Sequence, residues 1–240
     1  MKISMPLIET AVSWQGEGQF QGELCVFMRF KKCNRFCEFC DTRDRMDTVI
    51  EKSIKFEKLF ELGKMCRHSY VFTGGEPTLY IPYIVDFIQF LETKFVEDSW
   101  EHLPKISFET NGCNLVKMSE KIAEIVKNTF LLSNIYYDFS PKDFHKEYDF
   151  QESLDIIDSM AQLRDNFIVK VVAYDHEQNY GFTDLFLAKV REKYPNLIMY
   201  VMPEGRTGME VMLNTPKILS IVNKHQCNFS SRLHLIHNFY

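Results

Sequence analysis

The chain reads CNRFCEFC from Cys33 to Cys40, and this stretch carries three closely spaced thiols at Cys33, Cys37 and Cys40. Three thiolates on one short loop can ligate three irons of a [4Fe–4S] cluster, whereas an electron-transfer ferredoxin supplies cysteines to all four irons. The fourth iron of such a cluster is open to another ligand. The spacing therefore indicates an iron–sulfur site that carries out chemistry at the open iron and does not merely store an electron.

Zinc is the main alternative metal for this loop. A structural zinc site needs four ligands, usually two pairs of cysteines or histidines, and this stretch supplies one C-x2-C pair with a further cysteine upstream. A fourth ligand is available in Cys25, Cys66, His68 or Asp41, so zinc stays open at this point. A disulfide framework is disfavoured, because seven cysteines are an odd number and no secretion signal precedes them.

Composition indicates a globular protein with a sizeable core. The chain has 240 residues, of which 45% are hydrophobic and 25% charged. The stretch from Met1 to Trp14 lacks the apolar core of a signal peptide, and no run reaches the roughly 18 apolar residues of a membrane span. We therefore expect a cytoplasmic protein with no membrane partner. The net charge of −5 argues against general nucleic-acid binding.

β-Rich runs alternate with segments of helical periodicity along the whole chain, and this alternation is typical of βαβ units and a parallel sheet. The predicted strands are Leu24–Phe30, Tyr70–Thr73, Lys105–Glu109, Ile135–Phe139, Phe167–Ala173, Leu197–Met202 and Arg232–Ile236. The predicted helices are Phe56–Cys66, Ile81–Phe95, Met118–Lys127, Leu154–Leu163, Phe182–Lys193 and Pro216–Lys224. We predict an α/β fold, an open, partial (β/α) barrel of about six parallel strands, formed by a single domain over residues 1–240.

Four predicted strands end in polar tips that contain glycine or proline. The tips are Thr73–Pro77, Glu109–Gly112, Ser140–Lys142 and Met202–Gly205. The carboxyl ends of parallel strands meet at one edge of an α/β sheet, where ligands bind. The cysteine loop follows the first predicted strand and opens onto the same edge, so we expect the functional site there.

The tip from Gly74 to Pro77 reads GGEP. Paired glycines let the backbone approach a ligand closely, and Glu76 offers an acceptor for an amine. Taken alone, this motif is a Gly-rich turn. Together with the C-x3-C-x2-C loop it resembles the radical S-adenosylmethionine superfamily, whose members chelate the open iron with the amino and carboxylate groups of S-adenosylmethionine.

A finer resemblance begins at the N-terminus, where Gln15–Gly18 reads QGEG. The order QGEG, then Gly22, then F-x-R-F over Phe27–Phe30, then CN and C-x-F-C-D-T up to Thr42, is similar to the 7-carboxy-7-deazaguanine synthase family. The four strand tips and the closing Arg232-Leu233-His234 agree with it as well. The resemblance covers nearly the whole chain.

The resemblance implies a set of metal and cofactor residues. Cys33, Cys37 and Cys40 would ligate the cluster, and Thr42 would coordinate Mg2+, a cation that prefers hard oxygen ligands. Phe39 would pack on the adenine. The remaining positions around S-adenosylmethionine would be Gly74, Gly75, Glu76, Ser140, Pro141, Lys142, Met202, Pro203, Glu204 and Gly205.

The resemblance also implies a substrate, 6-carboxy-5,6,7,8-tetrahydropterin, which is converted through a 5′-deoxyadenosyl radical to 7-carboxy-7-deazaguanine with loss of ammonia. Arg29 would hold the substrate carboxylate, since a guanidinium fork suits that group. The other implied substrate contacts are Trp14, Gln15, Gly16, Glu17, Thr73 and the terminal carboxylate of Tyr240. The QGEG segment and the C-terminal tail would close the rim of the site. A flavodoxin or ferredoxin would supply electrons, and a homodimer is expected.

Two single positions depart from the family pattern, the strand tip MPEG at Met202–Gly205 matches it only loosely, and several cysteines have no assigned role. Lys32 stands where the family usually has glycine, and Tyr80 where a glutamine often follows the GGEP turn. We expect Cys113 and Cys227 to be small buried hydrophobic residues. Two other functions stay open: an activase of a glycyl-radical enzyme, which uses a similar cysteine loop, and a non-enzymatic zinc-binding module.

Overall fold

The computed structural model describes residues 2–37, 40–97, 102–142, 150–164, 166–173 and 181–239. Their strands are β1 (Ser4–Leu7), β2 (Glu9–Trp14), β3 (Leu24–Phe30), β4 (Lys52–Lys55), β5 (Ser69–Gly74), β6 (Lys105–Thr110), β7 (Ile135–Phe139), β8 (Phe167–Ala173), β9 (Met199–Pro203) and β10 (Asn228–Phe229). Their helices are α1 (Arg43–Thr48), α2 (Phe56–Gly63), α3 (Ile81–Glu97), α4 (Leu115–Ile125), α5 (Thr129–Leu132), α6 (Gln151–Leu163), α7 (Gly181–Lys193), α8 (Gly208–Lys224) and α9 (Leu233–His237). Short 3-10 helices form at Gly18–Phe20, Lys64–Cys66 and Pro77–Tyr80.

The described chain divides into two compact units. The first comprises residues up to Ser13 together with Leu24–Phe36 and Cys40–Tyr137, and the second comprises Trp14–Glu23, Cys37 and the residues from Asp138 onward. In the first unit the strand order is β7-β6-β5-β3-β2, with β3, β5 and β6 parallel, and β1 pairs with β4 in a separate antiparallel ribbon. In the second unit β8, β9 and β10 are parallel neighbours.

Aromatic side chains fill the core of the first unit. Phe72, at the centre of β5, stacks on Phe108 of β6 at 4.9 Å and on Phe30 of β3 at 6.2 Å between ring centroids. Phe56 and Phe87 bring the inner faces of α2 and α3 against these strands. These five rings are fully buried. Burial of such rings is a main source of fold stability, and it fixes the strand ends from which the candidate site is built.

The core of the second unit forms around β8, whose seven residues are all buried. A strand that is covered on both faces reads as a continuous apolar run, and FIVKVVA fits this description except at Lys170. Phe139 stacks on Phe167 at 6.2 Å, and Phe150 packs edge-on against Phe186 of α7. The charge of Lys170 therefore needs a buried partner, which the QGEG segment supplies.

The predicted α/β class with a parallel sheet is confirmed, and five of the predicted strands match observed ones to within one residue at each end. The strand predicted at Arg232–Ile236 is wrong: this segment forms the helix α9. Its alternating pattern is that of a strand, but the amides of Leu235 and Ile236 donate to the carbonyl of Arg232 and wind the chain into a turn. The short strands β1, β2, β4 and β10 and the helices α1 and α5 were missed.

The helix predicted to begin at Pro216 begins instead at Gly208. Thr207 caps it, because its hydroxyl accepts from the amide of Glu210 while the Glu210 carboxylate accepts from the amide of Thr207. Pro216 lies inside the helix on its exposed side. The capping box is a stronger start signal than the proline, and the sequence prediction overlooked it.

Candidate active site

The cysteine loop connects β3 to α1 and carries the thiols of Cys33, Cys37 and Cys40, each half-buried. Burial raises the pKa of the Cys33 thiol, and negative charge at Glu76 and Cys40 adds to this, while the amide of Arg35, 3.5 Å from the sulfur, opposes it. Cys33 and Cys40 belong to the first unit and Cys37 to the second. Within the second unit Cys37 packs against Val172 and Met202, at the ends of β8 and β9.

Backbone hydrogen bonds hold the start of this loop against the GGEP turn. The amide of Gly75 donates to the carbonyl of Phe30 at 2.8 Å, and the amide of Glu76 donates to the carbonyl of Lys32 at 2.7 Å. A Cβ atom on Gly75 would collide with that Lys32 carbonyl, and one on Gly74, whose φ is +102°, would collide with the backbone of Phe30. Both glycines are therefore required for the close approach of the two segments.

Glu76 is buried, with 1% of its surface exposed, and it joins the turn to the end of β6. Its Oε1 accepts from the amide of Thr78 at 3.0 Å, from the hydroxyl of Thr78 at 2.7 Å and from the hydroxyl of Thr110 at 2.6 Å. Its Oε2 accepts from the amide of Asn111 at 2.7 Å. Hydrogen bonds to a charged acceptor are stronger than neutral ones, so this carboxylate fixes the geometry of the turn.

Asn111 extends this network to the cysteine loop. Its Nδ2 lies 2.9 Å from Oδ1 of Asn34 and 3.7 Å from the sulfur of Cys33. The sequence had marked the strand tip that contains Asn111 but assigned the residue no role. Its amide and side chain together connect Glu76 with the first thiol, so the ends of β5 and β6 position Cys33.

The side chains of Thr42 and Arg29 both contact Gly74, in the turn after β5. The hydroxyl of Thr42 donates to the carbonyl of Gly74 at 3.4 Å and lies 3.5 Å from the sulfur of Cys40. The side chain of Arg29 passes directly against Gly74, where any Cβ would meet its Cγ. The predicted metal ligand and the predicted carboxylate ligand thus both contact Gly74 in the first unit.

Glu9, on β2, binds the guanidinium of Arg29. The Nε of Arg29 donates to Oε2 of Glu9 at 2.8 Å, and Nη1 of Arg45 lies 2.9 and 3.0 Å from the two carboxylate oxygens. Burial by itself would raise the pKa of Glu9, but the two guanidinium groups outweigh it and hold that pKa below its ordinary value. Neither Glu9 nor Arg45 was singled out in the sequence.

Thr73 completes the predicted set in the first unit, at the last residue of β5 but one. Its hydroxyl donates to Oε2 of Glu109 at 2.7 Å, which links the tips of β5 and β6.

The two single positions that depart from the family pattern, Lys32 and Tyr80, are bonded to each other in the first unit. The amide of Lys32 donates to the hydroxyl of Tyr80 at 3.0 Å, and the Tyr80 ring stacks on Phe30 at 4.3 Å.

In the second unit the QGEG segment centres on Glu17. Its Oε2 accepts from Nζ of Lys170 at 2.8 Å and its Oε1 from Nε of Arg232 at 3.1 Å, while His234 Nε2 lies 3.8 Å away. Burial would raise the pKa of Glu17, but the Lys170 and Arg232 charges dominate and hold that pKa well below its usual range. The carboxylate that the sequence marked as a substrate contact is thus an ion-pair centre.

The C-terminal segment packs on the QGEG segment. The amide of Leu233 donates to the carbonyl of Gly16 at 3.0 Å, and the ring of Phe239 lies 5.4 Å from that of Trp14. A Cβ on Gly16 would collide with the His234 ring. Gln15 is buried, and its Oε1 accepts from the amide of Glu17 at 3.1 Å.

The remaining predicted cofactor positions of the second unit lie at strand ends. Lys142 Nζ donates to the hydroxyl of Ser140 at 2.8 Å, and Pro141 between them is buried. Pro203 ends β9 after Met202; Arg232 donates to the carbonyl of Gly205 two residues further on. Burial raises the pKa of Glu204. Phe39 and Tyr240 lie outside the described residues.

The other cysteines are placed as follows. Cys25 and Cys66 are buried, and their thiols donate to the carbonyls of Ser13 and Ser69. The prediction that Cys113 and Cys227 are buried is wrong, because Cys113 is exposed at the start of the loop before α4 and Cys227 is half-buried after α8. Cys113 follows Gly112, whose φ is +92°, a placement that composition alone does not reveal.

Comparison with known proteins agrees with these features. The sequence model of the radical SAM superfamily matches residues 28–178, which include the cysteine loop and the ends of β5, β6 and β7. The chain belongs to the radical SAM superfamily. The three thiols in C-x3-C-x2-C spacing suit three ligands of a [4Fe–4S] cluster, and the superfamily match favours the cluster over the zinc alternative.

Individual relatives carry a more specific name. The chain is 28% identical over 245 residues to a 7-carboxy-7-deazaguanine synthase of Hyperthermus butylicus, covering 96% of this chain and 91% of that protein. It is 32% identical over 145 residues to the synthase of Aquifex aeolicus, covering 59% and 57%. A crystal structure of QueE from Escherichia coli superimposes with a TM-score of 0.56 at 17% identity, covering 95% of this chain and 93% of that one, and shows that the fold is shared.

Proposed function

We propose that this chain is an enzyme that converts 6-carboxy-5,6,7,8-tetrahydropterin to 7-carboxy-7-deazaguanine with loss of ammonia. Curated relatives of that activity support the proposal, since one of them aligns with 96% of the chain. The structural observation that carries it is the pairing of Thr42 and Arg29 at Gly74. A hard oxygen ligand and an arginine whose side chains contact the same residue suit a substrate carboxylate that is shared between Mg2+ and arginine.

The residues of the first unit hold the reacting groups in place. When bound, the cluster supplies the electron that cleaves S-adenosylmethionine and starts hydrogen abstraction from the substrate. Glu76, Asn111 and the two glycines keep the loop of Cys33 at a fixed position against the ends of β5 and β6. Such positioning lowers the barrier by orienting the reactants.

In the second unit we assign the QGEG segment to the pterin and the strand ends to the cofactor. Gln15 is fixed by its bond to the Glu17 amide, and we assign it the recognition of the pterin edge together with Trp14 and Gly16. Glu17 keeps the segment in shape, because its ion pairs with Lys170 and Arg232 tie QGEG to β8 and to the C-terminal segment. Ser140, Lys142 and the tip from Met202 to Gly205 belong to the cofactor side of this proposal.

The proposal includes partners and conditions. Thiols that must stay reduced require a reducing compartment, so we place the enzyme in the cytoplasm. It needs Mg2+ and a one-electron donor such as a flavodoxin or ferredoxin, and we propose that it acts as a homodimer. Among the described residues, no helix is long and apolar enough to cross a bilayer.

The activity is tested by mass spectrometry of an anaerobic reaction. Cluster-reconstituted protein is mixed with dithionite, S-adenosylmethionine, Mg2+ and the carboxytetrahydropterin, and 7-carboxy-7-deazaguanine is the expected product. Thr42→Ala should reduce activity most at low Mg2+, and Arg29→Ala should raise the KM for the pterin. Lys58→Gln is the matched control, since Lys58 is exposed on α2 and belongs to no part of the site.

The outcome without product is equally informative. Accumulation of 5′-deoxyadenosine without 7-carboxy-7-deazaguanine would contradict the substrate assignment but leave the radical chemistry standing. A protein that binds one Zn2+ and shows no visible absorbance after reconstitution would contradict both.

A further inference from the structure

A carboxylate sits between two arginines next to the predicted carboxylate-binding residue. Glu9 bonds Arg29 through one nitrogen, Nε, and bonds Arg45 through Nη1 to both of its oxygens. The side chain of Arg29 is 10% exposed, that of Glu9 33% and that of Arg45 40%. The three groups therefore form a partly buried cluster whose charges are weakly screened by solvent.

The charge of this cluster depends on Arg45. Arg29 and Glu9 alone form a neutral pair, and a neutral pair attracts an anionic substrate only weakly. With Arg45 the three groups carry one net positive charge. Because opposite charges at low effective dielectric attract over several ångströms, the second arginine restores the attraction that Glu9 removes from Arg29.

The orientation of Arg29 depends on Glu9. A guanidinium is a planar fork with five N–H donors, and the bond from Nε to Glu9 uses one of them and fixes the plane of the fork. The Nη1 and Nη2 groups together form the edge that binds a carboxylate with two parallel hydrogen bonds. Gly74 leaves room for the Arg29 stem beside the backbone of the turn.

We infer that Glu9 and Arg45 are positioning residues that set the substrate preference of this site for a carboxylated pterin. Glu9 fixes the Arg29 fork, and Arg45 offsets the charge of Glu9 so that the cluster attracts the carboxylate. This inference rests on the proposed function, because it concerns how the same substrate is selected. Glu9 and Arg45 act through Arg29 and are not catalytic residues.

The test compares two ligands that differ by the carboxylate. Dissociation constants for 6-carboxytetrahydropterin and for tetrahydropterin are measured by titration calorimetry on cluster-loaded enzyme with S-adenosylmethionine and Mg2+ but no reductant, so that no turnover occurs. KM and kcat for the carboxylated substrate are measured in parallel with reductant. The variants are Arg45→Gln, Arg45→Lys, Glu9→Gln and Glu9→Ala, with Lys58→Gln as the control for loss of one positive charge.

The charge role of Arg45 predicts a selective effect. Arg45→Gln should raise the dissociation constant and the KM of the carboxylated pterin about fivefold, with kcat changed less than about twofold and tetrahydropterin binding unchanged. Arg45→Lys should restore most of the affinity because it keeps the charge. An equal loss for both ligands, or no loss for either, would overturn this role.

The orienting role of Glu9 predicts that Glu9→Ala weakens binding of the carboxylated pterin, although loss of a negative charge alone would strengthen it. Glu9→Gln keeps an acceptor for Nε and removes a negative charge, so binding of the carboxylated pterin should be unchanged or tighter. Glu9→Ala removes the same charge but also the acceptor, and affinity should fall about tenfold as the fork loses its fixed plane. Tighter binding by Glu9→Ala would overturn the inference. Absence of wild-type turnover would refute the proposed function itself, and the inference would fall with it.

Discussion

The sharpest stability prediction concerns the buried carboxylate of Glu76. Glu76→Ala removes the acceptor of four hydrogen bonds at once. The two hydroxyl donors can rotate toward other acceptors, but the amides of Thr78 and Asn111 are fixed and buried. Each stranded buried donor costs about 1–3 kcal/mol, so the two amides together should cost roughly 2–6 kcal/mol in the free energy of unfolding.

The loss is measurable as a shift in melting temperature. For a chain of this length about 1 kcal/mol corresponds to roughly 2–4 °C, so Glu76→Ala should melt at least about 4 °C lower. Glu76→Gln keeps an oxygen for the three donors at Oε1 but turns an NH2 group toward the amide of Asn111, and it should lose about 2–3 kcal/mol. The melts are followed by circular dichroism under anaerobic conditions.

The matched control is Glu109→Gln, one strand tip away. Glu109 is half-buried, and its oxygen accepts from Thr73, a bond that an amide oxygen can also accept. We expect a shift below about 2 °C for this variant. If Glu76→Ala melted within 2 °C of this control, the carboxylate would not be the structural centre of the turn. Since Asn111 also contacts Cys33, the alanine variant should lose its visible cluster absorbance faster in air.

Three further variants test other contacts of the two units. Tyr80→Phe keeps the ring stack on Phe30 but strands the amide of Lys32, so it should cost about 1–2 kcal/mol in a thermal melt, whereas Tyr83→Phe should not. Gly75→Ala should yield protein that does not retain a cluster on reconstitution, measured by iron content, because its Cβ collides with backbone; Gly181→Ala, with open space around it, should be unaffected. Glu17→Gln removes the carboxylate that pairs with the buried Lys170 and Arg232, and it should cost about 3–5 kcal/mol at pH 7. Because the folded pKa of Glu17 is lowered, its contribution is complete above its unfolded pKa and is lost as the pH falls below it, so chemical denaturation at acid pH should show a smaller difference between the two proteins.

Much of the fold follows from local patterns, and the failures have identifiable causes. The buried strands β3, β7 and β8 appear in the sequence as apolar runs with sharp ends, and their bounds were predicted to the residue. The segment at Arg232 has the alternation of a strand but forms a helix, because Arg232 is bound to Glu17 and Leu233 to Gly16. Those partners are distant in sequence, and periodicity does not report them.

The site residues also divide into those that a short motif marks and those whose partners are distant in sequence. Spacing marked the three thiols as candidates, and the family resemblance added Thr42, Arg29 and the GGEP turn, because both signals are carried by short segments. Asn111, Glu9 and Arg45 act through partners on other strands and loops, so no local pattern marks them. Lys170 is the exception that could have been found: a single lysine in the buried run FIVKVVA requires a buried acid, and Glu17 is the acid of a motif already singled out.

The glycines and the glutamate of GGEP serve one structural purpose that explains the whole motif. Gly74 and Gly75 let the turn approach the backbone of Phe30 and Lys32, and the amides of Gly75 and Glu76 then bind those two carbonyls. This close contact buries the Glu76 side chain, which must then receive donors from the chain itself. The donors come from Thr110 and Asn111 at the neighbouring strand end, and Asn111 reaches back to Cys33. A change at any one of these positions should therefore disturb the first thiol of the cysteine loop, although among them only Cys33 is expected to touch the cluster.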